Sequence, residues 1–305
     1  MNDRHHLDRQ PAMHDALHAL TACIEAMEAG VSVCALIDMA AMQQDHDVAK
    51  ALRQIREAGA VSVLGDPRPE AELASPWLLP LACAPDVNHR LLNMGMAWAW
   101  RGPCVTWVSS HIQTQELATR LRQRTQAMLP QNQPVLLRCY DPRVLPELHK
   151  ALRPDQADAY WALGHAWAYL DRAQQLQTIA LRPAPDTDSF GAPLTLDQDQ
   201  FTALLDASEI DSVMPELAKE APDAFMALPT TQRAAFTQRC LKLADAWYVQ
   251  ASGQRVMVGV LALRLGENFH QDAAWAPWID QLKQGKMDLI QVIEKAAATS
   301  AGQAA

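Results

Sequence analysis

Apolar residues in the first 182 positions alternate between strand-like runs and helical stripes. Short apolar runs predict strands at 31–37, 61–64, 105–108 and 175–181. Apolar positions at helical spacing predict helices over 13–28, 48–58, 88–100 and 113–129. Strands that alternate with helices are typical of parallel strand–helix–strand units. The pattern therefore predicts an α/β N-terminal lobe with flanking helices, whose sheet is mixed and mostly parallel.

Proline modifies this pattern in the apolar segment 75–81. Proline has no backbone N–H to donate to a neighbouring strand, so it is uncommon inside a central strand. Pro76 and Pro80 therefore predict an edge or irregular strand.

A further strand is predicted at 135–140, where an apolar run contains one arginine. The side chain of Asp141 is suited to cap a helix, and Pro142 has the fixed φ of a first helical position. We therefore expect a strand-to-helix corner at Asp141. A later stripe of aromatic and apolar residues predicts a helix over 156–170.

Residues 183–193, the proline-rich segment, contain three prolines, a glycine and several small polar residues without periodicity. This composition predicts a linker between an N-terminal lobe at 1–182 and a second lobe at 194–305. In the second lobe the strand signal largely vanishes, and Thr195 with Gln198 matches a helix-capping box. Helical runs follow at 200–206, 212–219, 231–249, 255–265 and 286–297. The C-terminal lobe is therefore predicted to be all-α.

Charge and length limit the possible partners. The 305 residues carry a formal net charge of −9, which opposes binding to nucleic acid or to an anionic membrane. The nearest to a basic patch is the group Arg120, Arg122 and Arg124. Glu116 lies four residues before Arg120 and can pair with it on a helix, which predicts a solvated helix face. The longest apolar runs are shorter than the ~20 residues of a membrane helix.

The six cysteines lie mostly in apolar runs, with no C-x-x-C pair. This usage is typical of buried, reduced thiols and predicts neither a metal site nor a cofactor. The first dozen residues lack the apolar core of a signal peptide. We therefore expect the protein in the cytoplasm.

Residues 138–145 carry the clearest motif of the chain. Their sequence, Arg138-x-Tyr140-Asp141-Pro142-Arg143-x-Leu145, resembles the signature of the domain-of-unknown-function adaptors, or effector chaperones, of bacterial type VI secretion. The resemblance is specific from about residue 75 to 182. Near the C-terminus, Gly266, Phe269 and Trp275 resemble a second, shorter motif of the family.

The resemblance implies a cytoplasmic, non-catalytic protein. Such a protein binds a toxic effector and helps to load it onto the VgrG spike. The signature and partner-binding residues would be Arg138, Tyr140, Asp141, Pro142, Arg143, Trp161 and Phe269. No cofactor is implied.

Two questions stay open at the level of sequence. In one interpretation, Asp141 caps the helix while one arginine of the motif pairs with a carboxylate or with carbonyls of the N-terminal lobe and so fixes the corner. In the other, the motif presents an arginine to the spike or the effector. Likewise, Trp98, Trp100, Trp161 and Trp167 can be core residues or an apolar binding surface.

An alternative function is a small regulatory or enzymatic α/β domain. Asp38 and Asp66 end successive predicted strands, as acidic residues do in receiver-like domains that bind Mg²⁺. Aspartate is also a common turn residue, and no lysine or threonine follows at a matching strand end.

Overall fold

The structure is a computed structural model and describes residues 9–42, 48–65, 68–84 and 86–303. Contacts divide the chain into two compact units, Met1–Asp206 and Ala207–Ala305. The proline-rich segment lies within the first unit, and the division falls after Asp206.

The described residues of the first unit form two sheets. Their strands are β1 (Ser32–Asp38), β2 (Val61–Ser62), β3 (Pro76–Cys83), β4 (Asp86–Val87), β5 (Val105–Ser110), β6 (Gln126–Leu129), β7 (Gln133–Leu136), β8 (Ala166–Leu170), β9 (Leu176–Ala180) and β10 (Leu194–Thr195). The larger sheet has the order β2-β3-β1-β5-β8-β9, with β4 paired to β3, and all of its pairings are antiparallel. The smaller sheet has the order β10-β6-β7, in which β10 is parallel to β6.

The prediction of a mostly parallel sheet is wrong. β3 and β5 do run in the same direction, as a strand–helix–strand unit requires, because each is antiparallel to β1. However, β1 lies between them, so that Leu36 is opposite Leu78 on one side and Thr106 on the other. Helical and strand periods show which elements form, but they do not show which strands are neighbours.

β3 is irregular, as predicted, but it is not an edge strand. It pairs with β1 along its length, and the register shifts between Val33 and Cys34, where Cys34 is opposite Pro80. On its other side the short β2 and β4 pair with residues 77–78 and 82–83. Pro80 lies between these two pairings, where no N–H is required from it.

The helices of the first unit surround the larger sheet. They are α1 (Arg9–Glu25), α2 (Met39–Met42), α3 (Val48–Glu57), α4 (Pro69–Glu72), α5 (His89–Arg101), α6 (Thr114–Arg124), α7 (Leu145–Ala151) and α8 (Pro154–Tyr160). The sheet buries both of its faces. In β1, Cys34 and Leu36 contribute to one hydrophobic core, and Val33 and Ile37 contribute to the other. This two-sided burial explains the continuous apolar run of β1.

The prediction of an aromatic helix over 156–170 is wrong after Tyr160, where α8 ends and the strand β8 soon follows. The ring nitrogen of Trp167 donates to the hydroxyl of Thr106 at 2.9 Å, and Trp167 pairs with Val108 of β5. Gly164 forms the intervening turn with a φ of +157°, a conformation that L-residues rarely adopt. The predicted helix over 113–129 likewise ends early, and its last residues form β6.

The second unit confirms the prediction of an all-α C-terminal lobe. Its helices are the end of α9 (Gln198–Glu220), then α10 (Pro222–Ala227), α11 (Thr230–Ala246), α12 (Ser252–Leu265), α13 (Ala276–Lys283) and α14 (Leu289–Gln303). Arg255 is buried and binds Glu209 through two hydrogen bonds of 2.5 and 2.7 Å and Asp245 through one of 2.7 Å. These bonds connect α12 to α9 and α11.

The start of α9 differs from its prediction in one respect. The reciprocal capping bonds join Asp197 and Gln200, whereas the sequence predicted Thr195 and Gln198. The side chain of Asp197 accepts from the Gln200 N–H at 3.0 Å, and the side chain of Gln200 accepts from the Asp197 N–H at 3.1 Å.

Candidate functional site

The candidate site is an ionic corner formed by Asp38, Arg138, Asp141 and Arg143. Asp38 ends β1 and is buried. One carboxylate oxygen of Asp38 accepts from the backbone N–H groups of Ala40 and Ala41, at 3.1 and 3.3 Å. Its other oxygen accepts from the Arg138 guanidinium, 100 positions later in the chain. Both oxygens of this buried carboxylate are thus hydrogen-bonded.

Asp141 is the second buried carboxylate of the ionic corner. Its oxygens accept from the backbone N–H of Arg143 at 2.9 Å and from the guanidinium of Arg143 at 3.0 and 2.7 Å. Arg138 approaches the same carboxylate to 3.4 Å. Two carboxylates and two guanidiniums therefore offset one another's charge.

The helix predicted after Asp141 begins later than expected, because α7 starts at Leu145. Asp141 nevertheless caps the turn that leads into α7. Its side chain accepts from the backbone N–H of Arg143 at 2.9 Å, and its carbonyl accepts from the N–H of Leu145 at 2.8 Å.

The surroundings of the ionic corner shift the pKa values of Arg138 and of the neighbouring Tyr140. Burial lowers the pKa of Arg138, but Asp38 and Asp141 outweigh it, so that the net pKa lies above its ordinary value. Burial and the charge of Asp38 raise the pKa of Tyr140. Arg138 therefore stays cationic and Tyr140 stays neutral at physiological pH, which is suited to a fixed scaffold.

The structure brings five predicted residues together and leaves two elsewhere. Arg138, Tyr140, Asp141, Pro142 and Arg143 occupy one turn. Trp161 is buried and packs against neighbouring rings, with centroid distances of 4.8 Å to Tyr160, 5.3 Å to His149 and 6.2 Å to Trp167. Phe269 is buried in the second unit, 5.0 Å from the ring of Trp275. The assignment of these residues to partner binding stays a prediction.

The four tryptophans that sequence left ambiguous pack against the cores of the first unit. Trp161 and Trp167 are buried, whereas Trp98 and Trp100 are half-buried and pack against the other core. A core role therefore accounts for each of them.

A second ionic arrangement joins α6 to the proline-rich segment. Arg124 is fully buried, and its guanidinium binds both carboxylate oxygens of Asp188, at 2.7 and 2.9 Å. It also donates to the carbonyls of Arg120, Ala159 and Tyr160 at 3.0, 2.9 and 2.6 Å. These bonds fix the proline-rich segment against the first unit.

Arg120 adds further bonds to the same segment. Its guanidinium donates to the carbonyls of Pro185 and Asp186 at 2.8 and 2.9 Å and is almost completely buried. The prediction of a solvated arginine face is therefore wrong for Arg120 and Arg124. The sequence spacing that suggested it is real, since Glu116 does bind Arg120 at 2.8 Å, but one such pair does not exclude burial. No local signal indicated that distant carbonyls would complete the site.

The receiver-like alternative loses support at Asp38, whose carboxylate binds Arg138 and caps α2. Asp66 lies outside the residues that the structure describes. Among the described residues, no group of three or more histidine, cysteine, aspartate or glutamate side chains is arranged to hold a metal ion. Within the same residues, no helix combines the length and apolarity that crossing a membrane requires.

The model of a known family matches part of the chain. The family is described as Domain of unknown function (DUF4123), and it matches residues 34–159. This family is known as a domain associated with type VI secretion effectors. The match covers less than half of the chain, and it includes Asp38 and the whole 138–145 motif. No curated protein and no solved structure matches the chain significantly.

Proposed function

We propose that the protein is a type VI secretion adaptor, or effector chaperone, which binds a cognate effector and helps to load it onto the VgrG spike. The observation that carries the proposal is the family match over 34–159, which spans the entire ionic corner. The proposed partners are the effector and VgrG, with no nucleic acid or membrane involved. We place its activity in the cytoplasm, where loading would precede secretion.

The mechanism would be binding without chemistry. The charged groups of the ionic corner neutralise one another, and their hydrogen bonds support a role in holding the turn 138–143 to the end of β1. Arg138 and Arg143 retain side-chain exposures of 38% and 32%, so this turn can also contribute to a protein interface.

Exposed apolar side chains support a binding role in each unit. Leu136 is 56% exposed in the first unit, and Tyr248 and Ile290 are 73% and 51% exposed in the second. Of these, the tyrosine is of a residue type that commonly provides binding energy in protein interfaces.

Co-expression tests the proposal directly. The protein is produced together with each candidate effector encoded beside it, and the soluble yield of the effector is compared with and without the protein. We expect one effector to become more soluble, to co-purify with the protein and to form a ternary complex with VgrG. An effector from an unrelated gene neighbourhood serves as the control.

Deletion of the gene separates an adaptor from a structural part of the secretion apparatus. Loss of secretion of one effector supports the adaptor. Loss of secretion of every effector contradicts the adaptor. The adaptor is also contradicted if co-expression raises the soluble yield of no neighbouring candidate effector.

A further inference from the structure

A surface pocket of about 350 Å³ lies between α8 and the residues that precede α9. We call it the α8 pocket. Its apolar lining includes Phe190, Pro193 and Leu194, and its charged rim includes Arg153, Asp155 and Asp197. All of these residues belong to the first unit. The volume is suited to one or two large side chains of a partner.

The apolar lining of the α8 pocket is fixed by contacts within the first unit. The ring of Phe190 packs edge-on against Tyr160 at 5.3 Å, and the Arg124 guanidinium lies 4.8 Å from the same ring. Leu194 is buried because β10 pairs with β6, where it is opposite Ala127. A partner would therefore meet a formed pocket and would not need to order its walls.

The rim of the α8 pocket has an excess of negative charge. Arg153 donates to the carboxylate of Asp197. The guanidinium of Arg153 also approaches Asp155 to 3.7 Å, so that one cation faces two carboxylates. The side chain of Asp155 is 76% exposed and can accept a further cation. This charge opposes phosphate-bearing ligands and favours a basic peptide.

We propose that the α8 pocket binds a segment of the cognate effector in which a large apolar side chain lies next to a lysine or arginine. The apolar side chain packs against Phe190 and Pro193, and the basic residue pairs with Asp155. This inference rests on the proposed function, because the effector is the partner it names.

Gly191 allows the apolar part of the pocket to be tested without disturbing the fold. It lines the α8 pocket, and a Cβ added there would have no neighbouring atom within 4 Å. Gly191→Trp should therefore fill open space at the pocket. Gly102→Trp is the matched control, because Gly102 also faces open space and does not line the pocket.

Asp155→Lys tests the charged part of the pocket. Its matched control is Glu294→Lys, which makes the same change of charge at an exposed position of α14 in the second unit. Circular dichroism and thermal unfolding verify that all four variants remain folded before binding is measured.

The measurement is the dissociation constant between the full-length protein and its purified cognate effector. We expect Gly191→Trp and Asp155→Lys each to weaken binding by about tenfold, as for a substitution at the centre of an interface. The two control variants should bind within about twofold of the wild type. The effect of Asp155→Lys should diminish at high salt, because it acts through charge.

The possible failures of the inference and of the proposed function are distinct. If the wild-type protein binds its effector and all four variants bind equally well, the inference is overturned and the proposed function stands. If the two pocket variants lose binding to VgrG but still bind the effector, the effector is not the partner that occupies the α8 pocket. If no neighbouring effector binds the wild type, both are overturned.

Discussion

Arg124 binds both carboxylate oxygens of Asp188, at 2.7 and 2.9 Å, although the two residues are 64 positions apart in the chain. Arg124 has no exposed surface, so its charge requires a partner inside the protein. Asp188 supplies that partner from the proline-rich segment. Together with the bonds from Arg120 to Pro185 and Asp186, the pair holds this segment on the first unit.

Removing Asp188 should destabilise the protein strongly. Asp188→Ala leaves the buried Arg124 guanidinium without its anion, and we expect the free energy of unfolding to fall by about 3 kcal/mol. The measurement is urea denaturation of the full chain followed by tryptophan fluorescence.

Asp186→Ala provides a control two residues away. Arg120 binds the backbone carbonyl of Asp186, which this substitution retains. We expect a change within about 0.5 kcal/mol. Equal effects of the two variants would show that the Arg124–Asp188 pair is not what holds the segment.

The same pair predicts a dependence of stability on pH. Burial raises the pKa of Asp188, but the hydrogen bonds and charge of Arg124 outweigh it, and the net pKa lies below its ordinary value. The carboxylate therefore stabilises the fold above the unfolded pKa of about 3.9, and this contribution disappears as the pH falls through the folded pKa.

Denaturation of wild type and Asp188→Asn between neutral and acidic pH measures this contribution. We expect the stability difference between them to be constant near neutrality and to shrink below about pH 4. A difference that stays unchanged in acid would contradict the assigned pairing.

Asp38→Ala should also destabilise the first unit. It removes the cap of α2 and one of the two carboxylates that contact Arg138, while Asp141 remains 3.4 Å from the guanidinium, so we expect a loss of about 2 kcal/mol in the free energy of unfolding. Asp158→Ala is a suitable control, since its pair with Arg182 is exposed on both sides and contributes at most about 1 kcal/mol. If thermal and urea denaturation show that Asp38→Ala leaves the free energy of unfolding unchanged, the ionic corner does not act as a scaffold.

Gly164→Ala should prevent stable folding. A Cβ on Gly164 would lie 2.2 Å from the backbone oxygen of Ser109 and 2.8 Å from Ser110, and its φ of +157° is also unfavourable for alanine. We expect a loss of more than about 3 kcal/mol. Gly253→Ala, in the first turn of α12 with open space around it, should be neutral or stabilise by up to about 1 kcal/mol. Similar expression and melting temperatures for both variants would contradict this explanation.

Much of the element order could be predicted from local pattern. β1 and α5 lie close to their predicted ranges, because a buried strand and an amphipathic helix have different apolar periods. The same reasoning wrongly predicted that the helix continues through 160–170. Tyr160, Leu163, Trp167 and Leu170 have helical spacing, but the turn at Gly164 separates the end of α8 from β8.

The candidate site was only partly accessible to sequence reasoning. The 138–145 motif identified the turn, and the two carboxylates at Asp38 and Asp141 were each noticed. The pairing of one motif arginine with a carboxylate or with carbonyls of the N-terminal lobe was one of the two possibilities left open. The choice of Arg138 and Asp38 was not predicted, because a pairing across 100 residues leaves no periodic signal. The burial of Arg124 was missed for the same reason.

The sequence by itself determined much of the order of the elements, the all-α character of the second unit, the acidic charge and the resemblance carried by residues 138–145. Only the tertiary structure decided that β1 lies between β3 and β5, that Arg138 binds Asp38, and that Arg124 holds the proline-rich segment. The physical reason is that secondary structure follows local apolar spacing and backbone preference. Strand neighbours and buried ion pairs instead depend on which distant groups satisfy one another's hydrogen bonds and charge once the chain is compact.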